Sequence, residues 1–251
     1  MREKNNTETS TWISNTDLMS GLLIIFLFIS ILMTQQYDDV LNKSDKVKEE
    51  LKTHLTETFT EEEKHVFFTK DETKGDNQDP LAEGHMHFAD NGATFEVNQA
   101  VLTPEFKKKL DIVLPKYFKA ISECDPKTIK EIRIEGYTSS EWYDSSIPPN
   151  VAYYYNMELS QKRTLAILEY AFSMPSLVPY HDLMKEKLTA NGLSSRNPIA
   201  KKDENGNILC DENGKEIEDK EKSRRIEFRV VTNDQKIIED LKDVKNTTIN
   251  D

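Results

Sequence analysis

The sequence predicts an α/β two-layer sandwich preceded by a single transmembrane helix and a helical linker. An apolar run of membrane length lies near the N-terminus, and a polar stretch rich in lysine and glutamate follows it. From about residue 84 onward, strand-like alternation of apolar and charged residues occurs between segments with helical spacing. On a chain of 251 residues, such a mixture is typical of a helix layer packed on a sheet.

Residues 13–34 form the predicted transmembrane helix, which follows a short tail, 1–12. A helix of 22 residues is about 33 Å long, enough to cross the hydrocarbon core. Trp12 and Tyr37 flank the run, as aromatic residues do at membrane interfaces. A cleaved signal peptide is the alternative, but residues 33–37 contain no small-x-small cleavage site. We therefore expect a retained anchor.

Asp17 lies near the start of this run and is the candidate ion-translocating residue. Ionisable groups within membranes are rare and mark ion paths. Ser20 and Gly21 follow within one turn and would let a partner helix approach closely. The alternative is that Asp17 only caps the helix at the interface, because Asp is a favoured N-cap residue. No further carboxylate occurs in the span, which favours protons over sodium.

The linker is predicted over residues 35–83, in two parts. Residues 38–68 have the pattern of a polar helix with intermittent apolar positions that include Val47, Leu51 and Leu55. This pattern fits either a short coiled coil between two copies or a solvated helix. Residues 69–80 contain no large apolar side chain and read as a flexible connection.

The folded domain is predicted over residues 84–232, with a tail over 233–251. A hairpin-like pair over 85–97 comes first, and then a helix capped by Thr103, whose apolar face is Phe106, Leu110, Val113, Leu114 and Tyr117. Strands are predicted at 129–136 and 225–231. Helices are predicted at 157–172 and 183–188, the first of them with Leu159, Leu165, Leu168 and Phe172 inward. Two Asp-Glu-Asn-Gly repeats at 203–206 and 211–214 predict a hairpin excursion.

The composition excludes several functions. The formal net charge of −12 argues against direct nucleic-acid binding and against attraction to anionic lipid. Two cysteines, Cys124 and Cys210, are too few for a disulfide framework and lack the close spacing of a zinc site. They either pair in an oxidising compartment or are two buried free thiols. We expect no metal and no cofactor.

Three segments of the folded domain resemble the OmpA-like peptidoglycan-binding domain. They are Ile132-Arg-Ile-Glu-Gly-Tyr-Thr-Ser139, Asn156-Met-Glu-Leu-Ser-Gln-Lys-Arg163 and Ser223-Arg-Arg-Ile-Glu-Phe228. The family has Gly-His-Thr-Asp, Asn-x-x-Leu-Ser-x-x-Arg and Asn-Arg-Arg-Val-Glu-Phe at these places, in the same order. The resemblance implies a periplasmic domain that binds the cell wall, which would settle the orientation of the membrane helix.

The resemblance implies a peptidoglycan site in which some, but not all, of the family's binding residues are present. Arg163 matches the arginine that pairs with the free carboxylate of the peptide stem, a task suited to a guanidinium. Asn156 and Leu159 match the same helix face, and Tyr155 lies beside them. Thr138 matches the family's Thr, while Ser139 replaces the aspartate that engages the diamino acid and Tyr137 replaces the histidine. Apart from the motif, Arg163 would be interpreted as a surface salt bridge.

The membrane run, Asp17-Leu-Met-Ser-Gly-Leu-Leu-Ile-Ile-Phe26, resembles MotB-like stator subunits, which combine such a span with an OmpA-like domain. The divergent linker, a Pro148-Pro149 loop and the hairpin insert resemble the ZorB family of the Zorya anti-phage defence systems. These resemblances imply a dimer inside a ring of MotA-like (ZorA-like) membrane partners. They imply a proton-driven motor subunit anchored to peptidoglycan in the bacterial inner membrane.

Three other functions are compared with this expectation. A flagellar-type stator subunit would have the same membrane helix and the same kind of wall-binding domain. A passive tether between membrane and wall would need Arg163 but not Asp17. An enzyme acting on peptidoglycan is not supported, because His85 and His87 have no accompanying nucleophile or metal-ligand set in the sequence. We expect a protein without enzymatic activity.

Overall fold

The computed structural model describes residues 4–69, 79–90, 94–96, 98–142 and 146–233, with side chains described over 19–35 and from 45 onward within these ranges. The chain divides into two compact units, residues 1–45 and 46–251. Helix α1 (Lys4–Thr58) supplies the described part of the first unit and the start of the second. The predicted tail lies outside the described residues beyond 233, as does the predicted flexible connection over 70–78.

In the first unit, α1 exposes a continuous series of large apolar side chains. Between Met19 and Met33, these side chains are 45–68% exposed. Residues 13–34 lie within α1, so the predicted helix is confirmed as a helix. Across the described part of the chain, no helix has both the length and the hydropathy that crossing a membrane requires. Membrane insertion of 13–34 therefore stays a prediction.

The second unit contains one mixed sheet and a layer of helices. The elements that follow α1 are α2 (Glu61–Phe67), β1 (Met86–Ala89), α3 (Pro104–Ser122), β2 (Ile129–Tyr137), α4 (Pro149–Ser173), a 3-10 helix (Pro175–Tyr180), α5 (His181–Lys187), β3 (Leu188–Gly192), α6 (Lys220–Ser223) and β4 (Arg225–Thr232). The spatial order of the strands is β1-β4-β2-β3. The predicted α/β two-layer sandwich is confirmed by this sheet and its helices.

The register of the sheet places the last strand at its centre. β4 pairs antiparallel with β1, with Phe228 opposite Met86, and antiparallel with β2, with Phe228 opposite Ile134. β2 and β3 run parallel, with Ile134 opposite Ala190. The parallel pair needs a long crossover, which α4 and α5 provide. The predicted strand pair over 85–97 is wrong, because β1 pairs with β4 and Phe95 only forms a single bridge to Leu102.

Helix α3 has the predicted cap and apolar face. The Thr103 hydroxyl accepts a hydrogen bond from Phe106 N at 3.1 Å, and Pro104 occupies the first turn. All five predicted core residues of this helix are 0% exposed. Pro115 lies inside the helix, which continues to Ser122. The Tyr117 hydroxyl donates to Gly84 O at 2.6 Å and ties α3 to the segment that leads into β1.

The end of α1 packs into the core of the second unit. Val47, Leu51 and Leu55 are 6%, 1% and 0% exposed, and Phe59 joins them at 3%. Leu51 and Leu55 belong to the same buried cluster as α3 and the sheet. Both interpretations of this stretch, a coiled coil and a solvated helix, are therefore wrong for the described residues 45–59. The second unit begins earlier than the predicted domain start at residue 84.

Helix α4 begins eight residues before its predicted start and buries a face that only partly matches the predicted one. Its buried residues are small, polar or charged as well as apolar: Ala152, Asn156, Ser160, Arg163, Thr164, Ile167 and Ala171. Leu165, predicted to point inward, is 44% exposed. The helix lies very close to β2, since a Cβ on Gly136 would come within 2.8 Å of the Thr164 methyl group. Only small residues permit this approach, so apolar periodicity missed the face that lies on β2. Leu168 and Phe172, also predicted to point inward, are partly buried and pack against the core.

The segment between β3 and α6 forms the predicted excursion. Lys202 bridges Ile208 and Cys210 bridges Glu216, each around one Asp-Glu-Asn-Gly turn. Asp203 Oδ1 accepts hydrogen bonds from Asn205 N and Asn207 N, which fixes the first turn locally. Cys124 is buried and Cys210 is exposed, and both are free thiols.

Candidate functional site

Asn156 joins helix α4 to the loop that follows strand β2. Its side chain is 3% exposed, and Nδ2 donates to Ser139 O at 3.1 Å and to Glu141 O at 3.3 Å. One amide therefore fixes two backbone carbonyls of this loop. The structure brings two predicted site residues, Asn156 and Ser139, into direct contact.

Arg163, two turns further along the same face of α4, forms a buried ion pair that the sequence did not predict. Nη1 donates to Asp90 Oδ2 at 2.7 Å, and both side chains are less than a tenth exposed. Nε donates to Gln99 O at 3.0 Å, and the guanidinium lies 4.7 Å from the centroid of the Phe95 ring. Asp90 also accepts a hydrogen bond from the Thr94 hydroxyl. The alternative interpretation of Arg163, a surface salt bridge, is wrong, because its ion pair with Asp90 is buried.

A second arginine lies beside this pair. Burial lowers the pKa of Arg163, Asp90 opposes that effect, and the positive charge of Arg224 lowers the pKa further. Arg224 is half-buried, and its carbonyl accepts a hydrogen bond from Asp90 N at 2.8 Å. The positive charge of Arg224 therefore acts on Arg163, and a guanidinium is a favourable partner for an anion.

Aromatic side chains border the site on the N-terminal half of α4. Tyr155 is 41% exposed, and its ring lies 5.2 Å from that of Trp142 in the loop after β2. Tyr154, the preceding residue, is 68% exposed and contacts the ring of Tyr153 instead. Tyr155 therefore faces the loop of the candidate site, and Tyr154 points away from it.

The remaining predicted residues lie near these groups with different degrees of exposure. Leu159 is half-buried on α4, between Asn156 and Arg163. Thr138 is 4% exposed, and its backbone N–H donates to Ser194 O at 2.8 Å. Among the described residues, the Thr138 hydroxyl has no hydrogen-bond partner. Ser139 is 7% exposed and contributes its carbonyl to the contact with Asn156.

Tyr137, which replaces the family's histidine, belongs to a buried ionic cluster under the site. Its hydroxyl donates to Glu135 Oε2 at 3.0 Å, and the Arg225 guanidinium lies 3.8 Å from the ring centroid. Burial and the charges of Glu227 and Glu135 raise the pKa of Tyr137, so the phenol stays protonated. Tyr137 therefore supports the sheet rather than offering a titratable group to a ligand.

Glu227 is the centre of that cluster. Arg225 Nε donates to Glu227 Oε1 at 2.6 Å, Arg229 Nη2 donates to Oε2 at 3.0 Å, and His85 Nε2 lies 3.0 Å from Oε2. Burial opposes ionisation, but the contact with His85 and the charges of the two arginines lower the pKa of Glu227. His85 is thus a partner of a structural carboxylate.

Three site residues were missed from the sequence. Asp90 lies within the predicted hairpin-like pair over 85–97, and nothing local shows its contact with a residue 73 positions away. Arg224 lies within the quoted Arg-Arg motif, which was a usable signal. Trp142 had no signal of its own. Asp17 lies in α1, but its side chain is outside the described part of the structure. Its predicted role therefore stays a prediction.

The chain is similar to several known proteins. Residues 94–208 match the OmpA family. The chain is 32% identical over 236 residues to the Zorya protein ZorB of Escherichia coli strain Crooks, covering 92% of this chain and 91% of that one. It is 25% identical to the Zorya protein ZorB of a second E. coli strain, covering 91% of this chain and 83% of that one. A solved MotB-like protein from Desulfovibrio vulgaris is similar at 19% identity, covers 77% of this chain and 93% of its own, and has a TM-score of 0.43.

Proposed function

Because this chain belongs to the Zorya ZorB family, we propose that it is the peptidoglycan-anchored subunit of a proton-driven inner-membrane motor that acts in anti-phage defence. The role is mechanical and requires no enzymatic activity. The proposal combines two ends of the molecule, a wall-binding surface on the OmpA-like domain and an ion-carrying helix at the N-terminus. The observation that supports this proposal most directly is the arrangement of side chains on the wall-binding surface.

The wall-binding surface is the part of α4 and its neighbours that contains Tyr155, Asn156, Leu159, Arg163 and Arg224. Peptidoglycan stems end in a free carboxylate, which a guanidinium binds through two parallel hydrogen bonds. The described contacts of Arg163 use one N–H on Nε and one on Nη1, out of five in the group. Arg224 adds a second positive charge close to it.

Recognition of the diamino acid follows a different pattern from the family's. Ser139 stands where the family has aspartate, and its carbonyl is held by Asn156. Asp90 is the carboxylate nearest to Arg163, but its two oxygens already accept hydrogen bonds from Arg163 Nη1 and from the Thr94 hydroxyl. We therefore propose that the stem is held mainly through its carboxylate and through contact with the exposed ring of Tyr155.

The membrane end rests on the exposed apolar surface of α1 and on Asp17. We propose that residues 13–34 cross the inner membrane once, with the OmpA-like domain in the periplasm. Asp17 would take up a proton from the outer side, become neutral and release the proton inward. A proton moving down about 150 mV supplies about 3.5 kcal/mol, at about 2.3 kcal/mol per 100 mV. That energy biases a two-state contact several-hundredfold, by the conversion of about 1.4 kcal/mol per factor of ten.

The partners follow from the same proposal. One carboxylate on one helix does not form a channel, so a second copy of this chain and a surrounding MotA-like (ZorA-like) ring would shield it. Ionisation of Asp17 moves the ring only if the ring's two states differ in their affinity for the charged side chain. A passive tether would hold the wall equally well without Asp17, and a flagellar-type subunit would show motility in place of defence.

Co-sedimentation with purified, insoluble peptidoglycan tests the wall-binding surface. The full chain in detergent should sediment with the wall material, and Tyr155→Ala should weaken binding about tenfold, since a contact residue at the centre of an interface is worth 1 kcal/mol or more. Tyr154→Ala is the matched control, because it removes a neighbouring exposed tyrosine that points away. Equal loss in both variants, or in neither, would place the wall contact elsewhere.

A further inference from the structure

Three side chains with metal-binding atoms meet at the end of α1. Glu50 and His54 lie on α1, and Cys124 lies two residues beyond the end of α3. Their ligand atoms all lie within 4.8 Å of one another. The cluster belongs entirely to the second unit and lies outside the wall-binding surface. His54 and Cys124 are 70 positions apart in the sequence, so the spacing of the two cysteines gave no sign of this cluster.

The positions of these residues favour a shared ligand. Glu50 and His54 are four residues apart on a helix and therefore project from the same face. His54 Nδ1 is shielded from solvent and makes no hydrogen bond among the described residues. Glu123 Oε2 lies 3.3 Å from that nitrogen, so a second carboxylate borders the cluster. Cys124 is 2% exposed, and its thiol donates to Ala120 O at 3.6 Å, a weak contact that a metal would replace.

The charge around the thiol is negative. Burial and the charges of Glu50 and Glu123 together raise the pKa of the Cys124 thiol to about 12. Both carboxylates therefore act on the sulfur. A bound divalent cation would instead lower the pKa of this thiol, because a thiol that coordinates a metal is deprotonated.

We propose that Glu50, His54 and Cys124, with Glu123 as the fourth ligand, bind one zinc ion. A carboxylate, an imidazole and a thiolate are the ligand types that zinc takes in proteins. In a tetrahedral zinc site, with metal–ligand distances of about 2.0–2.3 Å, the ligand atoms lie about 3.3–3.6 Å apart. The ligand atoms of Glu50, His54 and Cys124 lie within 4.8 Å of one another, so binding would draw them closer together, and Glu123 Oε2 already lies 3.3 Å from His54 Nδ1. The ion fastens the last turns of α1 to the end of α3.

Cobalt titration of the purified full chain, stripped of metal, tests the site. Cobalt is the spectroscopic probe, because a thiolate ligand produces a charge-transfer absorption. We expect one equivalent of cobalt to produce this band and zinc to abolish it. Cys124→Ser should remove the band, whereas the matched control Cys210→Ser, which changes an exposed thiol, should leave it intact.

A second variant tests the site without altering the thiol. His54→Gln should weaken zinc binding at least about a hundredfold in competition with a chromophoric chelator, since loss of even an outer-shell partner costs about 10–100-fold. The thermal unfolding of each metal-free variant is compared with that of the metal-free wild type, which separates ligand loss from misfolding. Absence of the band, its persistence in Cys124→Ser, or unchanged zinc affinity in His54→Gln would overturn the proposal. Wall binding is measured separately and does not depend on this result.

Discussion

Replacing Leu55 by alanine tests whether the end of α1 belongs to the core of the second unit. Leu55 is 0% exposed and packs within the main buried cluster. The substitution removes three carbons, which costs about 2.4 kcal/mol in lost burial at about 0.8 kcal/mol each. The cavity that remains raises the cost to about 3–4 kcal/mol. For a domain of this size, at about 2–4 °C per kcal/mol, the midpoint of thermal unfolding should fall by about 6–16 °C.

Differential scanning calorimetry at two protein concentrations measures this effect. Ile112→Ala is the matched control, because it also removes three carbons but from a side chain on α3 that is 56% exposed. We expect the control to change the free energy of unfolding by less than about 1 kcal/mol. A Leu55→Ala variant that melts within about 2 °C of the wild type would refute the reasoning. So would a loss seen only at low protein concentration, which would indicate packing between copies.

The buried charges give two further predictions, both read from urea unfolding. Asp90→Ala leaves the Arg163 guanidinium buried without its carboxylate, so it should cost about 3–5 kcal/mol, most of which the double variant with Arg163→Met should recover. A single variant as stable as the wild type would contradict the buried pair. Glu227 has a lowered pKa, so its contribution to stability is complete above the ordinary carboxyl value of about 4.3 and is lost as the pH falls toward the native value. Glu227→Gln should therefore flatten the acid side of the stability profile, and an unchanged slope there would count against the cluster.

Local signals predicted the central part of the fold. β2 and β4 were found because alternation with a period of two marks strands buried on one face, and α3 was found from its cap and its apolar spacing. The face of α4 was predicted only in part. Leu168 and Phe172 pack against the core, but the helix also buries Ser160 and Thr164 against Gly136. β3 was missed for a related reason. This strand has only five residues, several of them polar, and only its pairing with β2 defines it as a strand.

The candidate site was predictable where a motif lies within one element. Asn156, Leu159 and Arg163 are spaced so that they share one face of α4, and the sequence alone therefore predicts that they lie side by side. Asp90 was not predictable, because its contact with Arg163 is set by the tertiary fold. The same holds for the cluster of Glu50, His54 and Cys124, whose members become neighbours only when α1 packs against α3.

Proton entry into phage-challenged cells tests the account most directly. Cells would carry this chain with its ring partner and a cytoplasmic pH reporter, and wild type would be compared with Asp17→Asn. We expect acidification and protection from phage with the wild type. Both should be lost in the variant, which should still insert into the membrane and still sediment with peptidoglycan. Undiminished proton entry and protection in Asp17→Asn would contradict the motor and leave only an anchor.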